Sequence, residues 1–297
     1  MPAASQLPDA LIGRPFTVAD ALALGVPRDV LRGKRFRSPF RGVRVPAELE
    51  DTLATRCLAA ALVLPKDAVF SHSTAARLHA LPVPGAWPDE PLHVTTGSLG
   101  LRHSGMAVHA ASELLHEVDD DHTLPIRTAA QCWAELATAL AVDDLVVVGD
   151  AALRRGLVTD VELETLVSTL SGRRGVRRLV KALPLLEPAT DSPMESRTRL
   201  LLVGAGLPRP VANRDVVVDG LWIARPDLSY PELRIAIEYE GDHHRSDRRQ
   251  WLRDKTRRRL LEDAGWLVIE ITSVDVYVTP IATVARVRAA IASRSPR

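Results

Sequence analysis

The sequence predicts an α/β protein of more than one domain. Three observations carry that reading. The chain has 297 residues, about twice an average domain, with 46% hydrophobic and 25% charged residues. Its last hundred residues alternate strand-like and helix-like periods, whereas its first fifty read as short helices followed by a basic ribbon. Two cysteines, Cys57 and Cys132, lie outside any CxxC or Cys/His cluster, which excludes a disulfide framework and a thiolate zinc site. No run of apolar residues approaches the ~20 needed to span a bilayer, and MPAASQLPDA lacks a basic n-region followed by an apolar stretch. The expectation is a soluble, cytoplasmic protein without a membrane partner.

Three segments follow, 1–50, 51–188 and 189–297. In the first, Thr17 is placed to cap a helix through Ala21, Leu22 and Leu24, with Asp20 three residues on. Gly25 ends that helix, and Pro27 suits the first position of a second one carrying Val30 and Leu31. After Gly33, RFRSPFRGVRV alternates basic and apolar residues about a Ser-Pro turn. The expected assembly is a winged helix-turn-helix with Arg28, Arg32, Arg35, Arg37 and Arg41 facing DNA phosphates.

Segment 51–188 predicts a mixed α+β region, with helices near 51–64, 73–80, 127–140, 143–155 and 159–182 and strands at PLHVTT and GMAVHA. VVVGDAAL reads as helix interior, because it has neither GxGxxG spacing nor a following Lys-Ser/Thr. His72, His79, His103, His109 and His116 match no metal-ligand spacing, and surface or capping roles are expected for them.

In the third segment, Ser192 to Glu195 starts a helix that ends at Gly206. Strands flank Asp219-Gly220, a pair suited to a type I′ hairpin. LRIAIEYE forms the next strand, a charged helix covers about 246–264, WLVIEIT is another strand, and a last helix occupies 280–294. The order α-β-β-β-α-β-α predicts a sandwich around a mixed sheet. The strand period sends Leu233, Ile235, Ile237 and Tyr239 to one face, and Arg234, Ala236, Glu238 and Glu240 to the other. Asp227, on the neighbouring strand, brings a further carboxylate to the same end.

Hard oxygen ligands on adjacent strands select Mg²⁺ or Mn²⁺, and a cation so held activates water against a phosphodiester. Although the net charge is only +1, basic residues cluster at 28–44, 173–181 and 245–259, which fits local phosphate contact. Arg249, Arg253 and Arg257 of the charged helix are candidates for it.

The run SPMESR…RPDL…EYEGDHH, followed by a basic helix ending in AGW and a strand, resembles the very-short-patch-repair-like branch of the PD-(D/E)xK nuclease superfamily over about 189–280. That resemblance implies a restriction-endonuclease-like αβββαβ domain, with Asp227 as the PD aspartate, Glu238 as the acid of (D/E)xK, and Glu195 as the acid of the first helix. The superfamily's usual lysine position is Glu240 here. The water-activating group is then Glu240, His243, His244 or a basic residue of the helix. Over about 10–80 the chain resembles, more weakly, the winged-helix domain of AbiEi-type antitoxins. Two functions follow as expectations: a DNA-binding, Mg²⁺- or Mn²⁺-dependent endonuclease, or a non-catalytic DNA-binding regulator that keeps the nuclease fold as a scaffold. Glu195 also suits a capping box, and Glu238 and Glu240 also suit a solvated network with Arg234.

Overall fold

A computed structural model describes residues 7–85, 90–98, 104–110, 117–118, 124–241 and 248–295; at 117–118 and 248–255 it describes the backbone alone. The chain is mixed α/β and divides into two compact units, 1–138 and 139–297. Among the described residues no helix is long and apolar enough to cross a membrane.

The N-terminal unit opens with β1 (Phe16–Thr17) and α1 (Val18–Ala23). The Thr17 hydroxyl caps α1 by accepting from the Asp20 N–H at 3.0 Å. The expected second helix is a 3-10 turn, Val30–Arg32. Between Pro27 and Gly33 too few residues remain to repay helix nucleation. β2 (Phe36–Arg37) and β3 (Val43–Pro46) pair antiparallel as expected, and β3 lies between β1 and β2. Phe16 and Phe36 meet edge to face at 5.5 Å, over a core with Leu11, Ala21, Val26 and Leu31.

After α2 (Leu53–Ala61) comes a five-stranded sheet with β4 (Val69–Phe70), β5 (Leu92–Thr96), β6 (Met106–Ala110), β7 (Glu117–Val118) and β8 (Pro125–Ile126). Its order is β6-β5-β4-β8-β7, with β5–β6 and β4–β8 parallel and the other two pairs antiparallel. α3 (His72–Leu78) follows β4 directly. α4 (Ala129–Leu136), capped by Thr128, buries Cys132, Trp133 and Leu136.

The C-terminal unit starts with α5 (Val142–Arg154), which carries VVVGDAAL as helix interior and buries Leu145 through Ala152. The single helix expected over 159–182 is two, α6 (Asp160–Thr169) and α7 (Val176–Ala182). Gly172 and Gly175 separate them with φ of 77° and 90°, left-handed values that glycine adopts without steric cost. α8 (Pro193–Gly204) crosses α5 through a buried pair, Arg199 to Asp150 at 2.9 Å. The Asp150 carboxylate also accepts from the Ser196 hydroxyl and the Glu187 N–H.

The strands after α8 depart from the expected single sheet. β10 (Val216–Val218) and β11 (Leu221–Ala224) form a separate two-stranded ribbon. Asp219 and Gly220 turn it with positive φ at both, 51° and 78°, as a type I′ hairpin requires. The four-stranded sheet runs β14-β13-β12-β9, from β9 (Val211–Ala212), β12 (Leu228–Tyr230), β13 (Ile235–Tyr239) and β14 (Leu267–Ile271). β13 and β14 are parallel, so their connection crosses over through α9 (Arg248–Asp263). One sheet face packs Leu228, Tyr230, Ile235, Ile237, Ile269 and Ile271 against Leu202 of α8, Val276 of α10 (Ser273–Tyr277), and Val284 and Val287 of α11 (Pro280–Arg294). The other packs Ala236 against Leu261, Val216 and Ala224. β13 is shorter than LRIAIEYE, because Arg234 closes a 3-10 turn in the left-handed region and Glu240 lies past the last ladder residue.

Candidate functional site

Asp227 and Glu238 meet at one end of the β12–β13 pair. Leu228 lies opposite Ile237 in the antiparallel register, so one further step sets Asp227 opposite Glu238. Strand alternation turns Leu228 and Ile237 into the core and Glu238 toward α9. The Tyr239 N–H donates to Asp227 Oδ2 at 2.7 Å, which fixes the aspartate at the mouth of the pair.

Glu195 enters from the first turn of α8 and is buried. The Ser192 hydroxyl accepts its N–H at 3.2 Å, the first half of a capping box. The other half is displaced by one residue: Glu195 Oε2 accepts from the Asp191 N–H and from Asn213 Nδ2, both at 2.7 Å. Asn213 also donates its own N–H to the Asp227 carbonyl at 3.0 Å. One amide residue, in the left-handed backbone that Asn tolerates, thereby couples the two acids. Burial, with the Glu195 charge next, pushes the Asp227 carboxyl up to about 6.

Two arginines oppose this negative charge. Arg257 of α9 donates to Glu238 Oε2 at 2.8 Å, and Arg225 pairs with Asp191 at 2.5 Å. Glu240 is exposed, and its N–H donates to the Ile271 carbonyl. His243 and His244 lie outside the described residues, as do the side chains of Arg249 and Arg253. Among the described residues, Glu195, Asp227 and Glu238 do not bring ligand atoms within 4.8 Å of one another, whereas His72, His93 and His109 do.

In the N-terminal unit, Arg28, Arg32, Arg35 and Arg41 are exposed. Arg37 instead donates to the Leu49 carbonyl at 2.6 Å and lies 3.6 Å from Asp51. Arg44 donates to the Leu31 and Val43 carbonyls and so fastens the 3-10 turn to β3. The basic ribbon therefore spends two of its arginines on its own fold.

Two proteins of Mycobacterium tuberculosis, from strains CDC 1551 / Oshkosh and ATCC 25618 / H37Rv and both described as uncharacterized (MT2308 and Rv2248), are similar to this chain. Each is 33% identical over 165 residues, which cover 56% of this chain. The chain spans 59% of the length of these curated relatives. No family model and no solved structure matches it.

Sequence reasoning missed Asn213 and the histidine group. Asn213 follows a strand of two residues, and only the positive φ common for Asn at turns marks it. The histidines escaped because their spacing in sequence, 21 and 16 residues, resembles no ligand motif. The parallel β5–β6 pairing and the β4–α3 junction bring them together instead. His79, by contrast, has an ordinary structural role, with Nε2 2.7 Å from the Arg127 carbonyl. His103 and His116 lie outside the described residues.

Proposed function

We propose that the protein is a DNA-binding endonuclease dependent on Mg²⁺ or Mn²⁺, with a restriction-endonuclease-like domain over 189–297 and a winged helix-turn-helix at its N-terminus. One observation carries the reading. Asp227 and Glu238 are register neighbours at a strand end, with Glu195 close enough that its charge opposes ionisation of Asp227. Carboxylates held together at such a cost are relieved by a hard cation.

The donor set fits Mg²⁺ or Mn²⁺ in chemistry, and Glu238 would exchange its Arg257 partner for the ion. Bound there, the cation would supply a water of lowered pKa and positive charge beside the phosphodiester. Asp227 and Glu238 hold the ion, and Asn213 and Asp191 orient Glu195 toward Asp227. Glu240, exposed beyond β13, accepts the proton of the attacking water. Arg257, once displaced from Glu238, would turn its guanidinium to a phosphate. The exposed Arg28, Arg32, Arg35 and Arg41 bind the DNA backbone.

The Glu238–Arg257 pair also favours a second reading, in which an arginine takes the place of a cation beside the acid and the protein is a non-catalytic DNA-binding regulator. A nicking assay on plasmid and single-stranded DNA separates the two. The endonuclease reading expects nicking with Mg²⁺ or Mn²⁺, none with EDTA, and loss in Asp227→Ala. DNA binding without nicking in any of these conditions selects the regulator. A faster Glu240→Lys enzyme would mark Glu240 as a degraded lysine position.

A further inference from the structure

His72, His93 and His109 come from three different elements of the N-terminal unit. His93 and Thr95 share one face of β5, and Thr95 lies opposite His109 in the parallel β5–β6 register. The two histidines are therefore diagonal neighbours, and His93 Nδ1 lies 2.9 Å from His109 Nε2. His72, the first residue of α3, lays its ring on that of His109, with centroids 3.8 Å apart and planes inclined by 19°. One nitrogen from each ring lies within 4.8 Å of the others, and all three residues are only partly buried. We propose that these three histidines form a binding site for a divalent late transition-metal ion, Zn²⁺ foremost.

The distances suit such an ion. Two nitrogens bound ~2.1 Å from a tetrahedral zinc lie roughly 3.4 Å apart. The His93–His109 pair is already near that separation, and a nitrogen of His72 lies within 4.8 Å of both. Imidazole donors favour zinc, nickel, copper and iron over the hard Mg²⁺ and Mn²⁺.

The surroundings are those of a built site. Glu135 Oε2 accepts from the His72 backbone N–H at 3.0 Å and lies 3.4 Å from its Nδ1, while the Ser71 hydroxyl is 3.0 Å from the same nitrogen. Arg127 holds the far oxygen of Glu135 at 3.3 Å. A carboxylate on one imidazole nitrogen orients the other toward a metal, so Glu135 on Nδ1 would leave Nε2 of His72 as the ligand atom. His72 also has φ of +49°, a left-handed backbone that costs free energy in a residue with a Cβ. That strain persists where the surrounding contacts fix the side chain in one place.

Among the described residues there is no fourth His, Cys, Asp or Glu in the group. Three protein ligands leave one position to solvent or a small anion, the pattern of zinc sites that bind or activate a ligand rather than close a fold. Thr95, buried on the same strand face, has a hydroxyl with no hydrogen-bond partner among the described residues. A solvent ligand on the metal would supply one.

The test titrates Co²⁺ into the tag-free full chain, reads the visible bands of the bound ion, and then displaces it with Zn²⁺. With Mg²⁺ in excess to hold the carboxylate cluster, the wild type should bind one equivalent of Co²⁺, because imidazole nitrogens disfavour the hard Mg²⁺. Folded His109→Asn and His93→Gln should each lose at least tenfold in affinity. A measurement without variants accompanies it: the ring ¹⁵N signals of His72, His93 and His109 should shift with one equivalent of Zn²⁺. The proposal is overturned if the wild type binds no tighter than the folded variants, or if only other histidines shift.

Discussion

The guanidinium of Arg257 donates to Glu238 Oε2 at 2.8 Å, tying the middle of α9 to the end of β13. Glu238 is buried while Arg257 is partly exposed, so the carboxylate depends on this partner more than the arginine does. Arg257→Gln should lower stability by about 1–2 kcal/mol in EDTA, as expected for a half-buried charge-assisted bond. Mn²⁺ should then raise the melting temperature of the variant more than that of the wild type. Equal rises would place Glu238 outside any cation site.

Asp227 gives a pH dependence whose sign is fixed. Its carboxyl is raised to about 6 in the folded protein, above its ordinary value. The folded state therefore holds the proton longer, and stability falls as pH rises from about 4 to about 6, then levels. Asp227→Asn keeps an oxygen for the Tyr239 N–H and lacks this fall. In EDTA the variant should match the wild type near pH 4 and exceed it at pH 7.5, by at most about 3 kcal/mol. Denaturant melts across that range measure it, and parallel curves would refute the assignment.

The basic ribbon divides into exposed arginines and arginines engaged with its own fold. Arg35→Ala with Arg41→Ala should weaken DNA binding without regard to sequence and flatten the slope of log K against log salt by about two. Arg37→Ala should instead lower the melting temperature, since it removes the contacts to the Leu49 carbonyl and Asp51. Fluorescence anisotropy at several salt concentrations, beside thermal melts, separates the two effects.

Asp150 carries a load unrelated to either site. Its carboxylate joins Arg199, Ser196 and the Glu187 N–H, and both members of the pair are buried. Asp150→Ala should destabilise the chain by about 3–5 kcal/mol by leaving a buried guanidinium unpaired. Replacing both residues by apolar side chains should cost less, and urea unfolding would show it.

Local chemistry was the legible part of this fold. Thr17 and Ser192 marked their helix starts, Asp219-Gly220 marked its hairpin, and the last helix spans 280–294 as its apolar period indicated. Alternation in LRIAIEYE placed Ile235 and Ile237 in the core and Glu238 on the opposite face. What sequence could not yield was pairing between distant segments. No residue of VVVDGLWIA announces that β10 and β11 leave the main sheet. Nor does GMAVHA reveal that β6 runs parallel to β5 and carries His109 to His93. The acids were found because a hairpin joins them locally; the histidines were missed because their meeting depends on three separate packings.

That same contrast sets an order of events during folding. β12 and β13 are joined by Pro231–Arg234, so Asp227 and Glu238 close a loop of about a dozen residues, a step of well under a microsecond. β14 can add to β13 only after the α9 crossover has formed, at greater entropic cost. Truncating Ile237 should therefore slow refolding, whereas truncating Ile269 should chiefly hasten unfolding. On that order the acidic pair is assembled by a local hairpin of the four-stranded sheet, before the helix that carries its arginine has docked.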